Sequence, residues 1–339
     1  MSRARIARRV ASATEAIDDM RSLRDCLRWG VSRFAQAQIQ TGHGTASLFD
    51  EAVALALWSL DLAPDDLDRW VDARLARCER EALIDLFERR CSTRQPAAYL
   101  TGEAWLRGLC FRSDPRALVP RRLIAEALDT SLAGYVSAFP RPDGWPASVL
   151  DLCTGGGSLA IHCALRFPDS RIFASDLSGP ALALAADNAT LHGLSESIAF
   201  SQGDLFAPLA PHRFDLVVCN PPYVCDESMA RLPQEFRAEP EFALAGGADG
   251  MDVIRRILDR APAHLAPTGL LLLEIGHEAA HFERAFPRLE FTYLPVEAGE
   301  QMLVAIEAAA LERVAPTSRT AAHRQGTSRR RAPGRRPAA

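Results

Sequence analysis

The sequence predicts an α/β chain: a parallel sheet with helices on both faces, preceded by a small all-helical domain. Three observations carry this prediction. From residue 148 onward, short apolar strands alternate with helical patterns, the signature of a parallel sheet built from strand–helix–strand units. Residues 20–92 instead place apolar side chains at three- and four-residue steps, which marks amphipathic helices. Between them, residues 93–120 set aromatics, glycine and proline at short intervals, which reads as a hairpin linker.

In the helical part, Leu23, Leu27, Val31 and Phe34 form one stripe. Val53, Leu57 and Leu60 form a second, and Leu83, Leu86 and Phe87 a third. TGHGT at 41–45 interrupts the pattern as a loop. In the second part SVLDL, RIFAS, IAFSQ, FDLVVCN and GLLLLEI are expected strands. LAIHCALRF, SGPALALAADNATLHG and MDVIRRILDRAPAHL are expected helices, the second with Ser178 as N-cap and Pro180 in its first turn. FTYLPVEAGEQMLVAIE reads as a closing hairpin. The expected division is a helical domain over 1–92, a hairpin linker over 93–120, an α/β domain over 121–310 and a basic tail over 311–339.

All 39 basic residues are arginine, a bias of composition that says little about function. Residues 313–339 hold eight arginines and no acid, leaving 31 arginines against all 43 acidic residues in the body. A body with net charge −12 is not a general nucleic-acid binder. The tail reads as a disordered, solvated extension that offers RNA a weak contact at most. Arg3, Arg5, Arg8 and Arg9 read as a frayed basic start, without the apolar segment of a secretory signal. No apolar run reaches the roughly 20 residues of a membrane helix. The eight cysteines form no CxxC pair and no His/Cys cluster with zinc spacing. They are expected as reduced core residues of a cytoplasmic protein.

Four stations along the sheet carry chemistry. The first strand runs into Asp151-Leu152-Cys153-Thr154-Gly155-Gly156-Gly157 and then a helix. Glycines there let backbone approach a ligand and leave helix N–H groups free. The stretch does not match GxGxxG, and a chain without lysine has no P-loop. Asp176, at the tip of the second strand, suits the two hydroxyls of a ribose. Gly203-Asp204-Leu205-Phe206, after the third, offers an acid for an adenine amino group and an apolar side chain for its ring. The fourth station is Asn220-Pro221-Pro222-Tyr223. Two prolines fix two φ angles and remove two donors, which holds a backbone carbonyl still. The Asn220 side-chain oxygen and the Pro221 carbonyl can accept both N–H bonds of a planar NH2 group, with Tyr223 as a wall. An adenosine cofactor beside an oriented amide or amine points to methyl transfer from S-adenosylmethionine, with no metal required.

With these residues in view, the chain resembles the HemK-like protein-glutamine methyltransferases over about residues 20–306. It is most similar to the branch acting on the third large-subunit ribosomal protein. The similarity is carried by LRDCLRWGVSRF, TGHGT, DEAVALALWSL, RQPAAYLTGEAW, LVPR at 118–121, LDLCTGGGSLAI at 150–161 and the run from Asn220 to Asp252. It implies a Rossmann-like class I S-adenosylmethionine-dependent methyltransferase sheet, with the helical domain recognising a ribosomal protein. It assigns Asp151, Gly155, Gly157, Asp176, Asp204 and Leu205 to the cofactor. Asn220, shared with the cofactor side, joins Pro221, Pro222 and Tyr223 in a substrate-amide clamp. Three positions depart from the family pattern: Gly156 for the usual Ser, Arg122-Leu123 for Ser-Pro, and a Gly-Gly element only partly met by Glu297–Glu300. The clamp chemistry leaves open an exocyclic base amine of RNA or DNA, the resemblance leaves open a release-factor glutamine, and a non-catalytic assembly factor that binds ribosomal components through the tail is a third alternative.

Overall fold

The structure is a computed structural model that describes residues 10–314 apart from 133, 136–138, 140 and 142. The basic tail from 315 and the N-terminal arginines therefore lie outside the described residues. The tail's expected first residues, 311–314, are helical.

Serines open the first helices. Ser12 and Ser22 each accept a backbone N–H three residues on, and Glu15 or Asp25 bonds back. These capping boxes start α1 (Ala13–Asp19) and α2 (Leu23–Gln36). Ser47 caps α3 (Leu48–Ser59) through Asp50 N–H. α4 (Leu67–Trp70) is a single turn, and α5 (Arg77–Thr93) is the longest helix described. The stripes of α2, α3 and α5 meet in one core around Leu27, Phe34, Leu55, Leu83 and Phe87. α6 (Ala97–Thr101) leads into an antiparallel hairpin of β1 (Glu103–Leu106) and β2 (Leu109–Arg112).

After α7 (Leu123–Thr130) the strand–helix alternation begins: β3 (Ser148–Leu152), α8 (Ser158–Arg166), β4 (Arg171–Asp176), α9 (Gly179–Leu191) and β5 (Ile198–Gln202). It continues through β6 (Phe214–Cys219), α10 (Asp226–Arg231), α11 (Asp252–His264), β7 (Leu265–Glu274) and α12 (Ala279–Ala285). It closes with β8 (Thr292–Tyr293), β9 (Leu303–Glu307) and α13 (Ala308–Val314). The seven strands lie in the order β5-β4-β3-β6-β7-β9-β8. The first five are parallel, and β9 runs antiparallel to both its neighbours, β7 and β8. Every residue of β3 and β6 is buried, as strands covered on both faces require. Val149, Ile172 and Val218 face a core with α7 and α8; Leu150, Val217 and Leu271 face one with α11, α12 and α13.

From β3 the chain moves outward through β4 to β5, and then returns to lay β6 on the other side of β3. Ligands bind at such a reversal, outside the carboxyl ends of the strands. β3 and β6 end in register, Leu152 beside Cys219. The loop after β3 and the Asn220 turn after β6 are thereby neighbours. No helix among the described residues is long and apolar enough to cross a membrane.

The cysteines are free, but not all are core. Cys26, Cys91, Cys163, Cys219 and Cys225 are buried, Cys110 and Cys153 are half-buried, and Cys78 is exposed. Cys78 follows the first residue of α5 on its solvent side, so the expectation of a core residue fails there.

Candidate active site

Two cavities meet at the ends of β3 and β6. The smaller, of about 170 Å³, is lined by the loop Cys153–Gly156, by Asp176 and Leu177, by Gly203–Leu205, and by Asn220 and Pro222. The larger, of about 1630 Å³, is a groove between the helical domain and the sheet domain, with Trp58, Trp105, Pro221, Tyr223 and Glu274 among its walls. Asn220 lines both, as do Arg121 and Ala243.

The small cavity brings together the stations expected for an adenosine-bearing ligand. Asp176 stands at the tip of β4 and accepts from Gly155 N–H at 2.9 Å and Ser178 N–H at 2.8 Å. Its burial raises the carboxyl above the ordinary range against those bonds. The β3 loop brings bare glycine backbone to the cavity edge, and Leu177, Leu205 and Val253 add apolar wall. Leu205 takes a positive φ of 53°, a costly conformation for a residue of its size.

Not every expected residue touches this cavity. Asp151 lies behind the loop, fully buried. One of its carboxylate oxygens accepts from Thr154 Oγ1 at 2.6 Å and Ala160 N–H at 2.9 Å. It thus ties the β3 loop to the start of α8. Burial pushes its carboxyl up to about 7. Gly157 also stands back. With φ at +82°, its added Cβ would lie 2.8 Å from Ala185 Cβ on α9. Asp204 does line the cavity, but its carboxylate pairs with Arg256 and lies 3.6 Å from Arg260, so α11 shares it with any ligand.

Gly157→Ala is therefore expected to combine left-handed backbone strain with overpacking against α9, destabilising by about 2–4 kcal/mol. Gly102→Ala, at a similar φ of +76° with nothing within 4 Å of its Cβ, is expected to cost only the strain. Urea unfolding of both variants checks the difference. Asp176→Ala is expected to weaken cofactor binding by about tenfold or more, since a hydrogen bond to a charged group contributes about 1.5–3 kcal/mol. Calorimetric titration with S-adenosylmethionine measures it.

The Asn220 turn is held from several sides. Val224 N–H donates to Leu244 O at 2.9 Å and Gly246 N–H to Val224 O at 2.8 Å. Tyr223 OH donates to Glu274 at 3.0 Å. Glu274, at the end of β7, is fully buried, and burial pushes its carboxyl up to about 7 against the pull of Tyr223 and Arg121. Glycines accept the turn's bulk: a Cβ on Gly276 would lie 2.4 Å from the Tyr223 ring, and one on Gly250 would lie 2.2 Å from its carbonyl oxygen.

A buried ion cluster joins the turn to the helical domain. Glu239 accepts from Arg121 at 2.6 Å and from Val119 N–H at 3.0 Å, with His43 Nε2 at 3.3 Å. Burial alone would raise its carboxyl; Arg121 and His43 outweigh that and hold it below the ordinary range. Nearby, Glu235 accepts from Gln40 N–H at 3.0 Å and pairs with Arg94 at 2.9 Å. The His43 ring packs on Phe236, centroids 4.2 Å apart. TGHGT at 41–45 and the segment after Asn220 are thus one contact. Arg122, at the N-cap of α7, makes no side-chain cap bond but pairs with Glu297 at 3.1 Å, tying the start of α7 to the last hairpin.

Sequence reasoning missed Glu274 in the lining of the groove, and Glu239, Glu235 and His43 in the buried cluster behind it. The signal available was that TGHGT and the run after Asn220 both resembled one family, which did not reveal that they touch.

Comparison with known proteins gives the family. A family model described as a methyltransferase small domain matches residues 125–244. A curated ribosomal protein uL3 glutamine methyltransferase from Bordetella pertussis is 50% identical over 287 residues, covering 84% of this chain and 95% of its own. Its namesake from Burkholderia pseudomallei is 49% identical over 302 residues, covering 87% and 97%. That from Bradyrhizobium diazoefficiens is 45% identical over 293 residues, covering 86% and 92%. The chain is an S-adenosylmethionine-dependent methyltransferase, and it belongs to the ribosomal protein uL3 glutamine methyltransferase family.

Proposed function

We propose that this enzyme methylates the side-chain amide nitrogen of a glutamine in ribosomal protein uL3, the third protein of the large subunit, in the cytoplasm. The observation that carries the reading is Asn220, a residue that lines both the small cavity and the interdomain groove. A planar NH2 group reaching down the groove arrives where the cofactor cavity opens.

An amide nitrogen is a weak nucleophile because its lone pair is delocalised. Asn220 Oδ1 and the Pro221 carbonyl accept its two N–H bonds and fix its direction. Orientation of this kind supplies a large share of a rate enhancement. S-adenosylmethionine supplies a methyl group activated by its sulfonium. Asp176, the β3 loop, Asp204 and Leu205 hold it. Asp151 and Gly157 act on the loop from behind. Tyr223 walls the clamp, and Glu274 anchors Tyr223. Trp58 on α3 and Trp105 on β1 are exposed and line the groove, where they offer apolar contact to the protein substrate. The helical domain and hairpin thereby select the protein that enters.

The test offers purified uL3 and a peptide-release factor together, in equal amounts, with labelled S-adenosylmethionine. The expected result is label on uL3. Label chiefly on the release factor would assign the same chemistry to the other substrate.

A further inference from the structure

The β7–α12 junction carries a pattern that the methyltransferase site does not use. His277-Glu278-Ala279-Ala280-His281 has H-E-x-x-H spacing. In zinc hydrolases that spacing puts both histidines on one face of a helix. Here α12 begins at Ala279, and His277 lies exposed in the turn before it. A hydrolase-type centre is therefore not formed.

The other two members of the pattern meet a third residue. His281 Nδ1 lies 2.6 Å from a Glu278 carboxylate oxygen. Cys225, 53 residues earlier in sequence and immediately before α10, points its thiol at the same place. One ligand atom each from Cys225, Glu278 and His281 lies within 4.8 Å of the others. Glu278 also accepts from Cys225 N–H and Ser228 Oγ, both at 3.4 Å. Outer contacts of this kind orient metal-binding side chains. Cys225 and Glu278 are buried, while His281 is half-buried, which leaves an ion a way in. A helical Glu–His pair three residues apart is ordinary and worth a few tenths of a kcal/mol. The Cys225 thiol donates to Ser228 Oγ at 3.3 Å, but neither contact accounts for thiol, carboxylate and imidazole converging from two elements.

We infer that Cys225, Glu278 and His281 form a zinc site, completed by a water. Thiolate, carboxylate and imidazole are ligands zinc accepts, whereas magnesium and calcium prefer oxygen alone. On binding, the thiol proton leaves to solvent, and the His281 proton passes through solvent from Nδ1 to Nε2, so that Nδ1 gives its lone pair to the ion in place of its contact with Glu278. Thiolate and carboxylate then neutralise the divalent charge. The ion joins the segment two residues beyond Tyr223 to α12. Ser228 and Glu278 line the interdomain groove, so the ion stiffens the wall beside the amide clamp without entering it.

The test is titration of the untagged, reduced, chelator-treated full chain with cobalt(II), a spectroscopic substitute for zinc. One equivalent is expected to bind with a near-ultraviolet thiolate-to-cobalt band that zinc abolishes. Cys225→Ser is expected to lose the band, and His281→Gln to weaken binding at least about tenfold. Cys78→Ser, on the exposed side of α5, is expected to leave both unchanged. Far-ultraviolet circular dichroism confirms that each variant is folded. A band of wild-type strength in folded Cys225→Ser, or wild-type affinity in His281→Gln, overturns the site. So does failure of the wild-type chain to take up one equivalent.

Discussion

Replacing Asn220 by alanine is expected to lower turnover by about a hundredfold or more, while S-adenosylmethionine affinity stays within the same order of magnitude. The change removes one of two acceptors that orient the amide. Misplacing a reacting group by about 1 Å can cost on the order of a hundredfold. The cofactor retains Asp176, the β3 loop and Leu205, none of which bonds to Asn220. Single-turnover kinetics and calorimetric titration separate the two effects. If affinity for the cofactor collapses while turnover of the bound enzyme is preserved, Asn220 is a cofactor residue and the clamp lies elsewhere. Asp176→Ala is the reciprocal variant, since it acts on the cofactor side of the junction.

Glu239→Ala is expected to destabilise the protein by about 3–5 kcal/mol, because it leaves a desolvated Arg121 and His43 without their shared carboxylate. Glu239 is only 4% exposed and binds groups from the TGHGT loop and from the segment leading into α7. Glu239→Gln, which keeps an acceptor but not the charge, is expected to lose less. The surface pair Arg24–Asp72, with side chains 62% and 76% exposed, provides the contrast. Asp72→Ala is expected to change stability by under about 1 kcal/mol. Urea unfolding followed by tryptophan fluorescence measures all three. A Glu239→Ala variant as stable as Asp72→Ala would mean that the cluster does not hold the domains together.

What was legible in the sequence was local. SVLDL and FDLVVCN are mostly apolar runs of strand length, and each leads into a contiguous motif, so strand and site appear in one stretch. Ser178 with Pro180 marked the start of α9, where the serine does accept Ala181 N–H. Short helices were less visible. α7, α10, α12 and α13 have eight residues or fewer, too few turns to show a period. α10 and α12 also lack a side-chain cap. β7 begins at Leu265 rather than at Gly269, because Phe214 on β6 pairs with Leu265 across an irregular register. The sequence of β7 alone does not contain that information.

The site shows the same boundary. Asp176, Gly155, Leu205 and Asn220 line the cavity as expected, because each sits at the end of a strand whose position the alternation fixes. Asp151 and Gly157 belong to the same loop but face its back, since a side chain's direction at a turn depends on φ and ψ. Asp204 offers an acid for an adenine amino group in the sequence, yet Arg256 on α11 reaches it from 52 residues away. Arg121 and Glu239 stand 118 residues apart, and only the folded chain brings them together. Residues that act through a partner are hidden in the sequence; residues that act through their place on a strand are not.

The central claim is that the clamp at Asn220 presents a uL3 glutamine to the methyl donor. The most direct measurement supplies the enzyme and labelled S-adenosylmethionine to ribosomal fractions from a strain lacking its gene, then locates the label by mass spectrometry. The account predicts one added methyl on a glutamine side chain of uL3, absent when Asn220→Ala replaces the wild type. Label on ribosomal RNA, with uL3 unmodified, would contradict it and assign the clamp to a base amine.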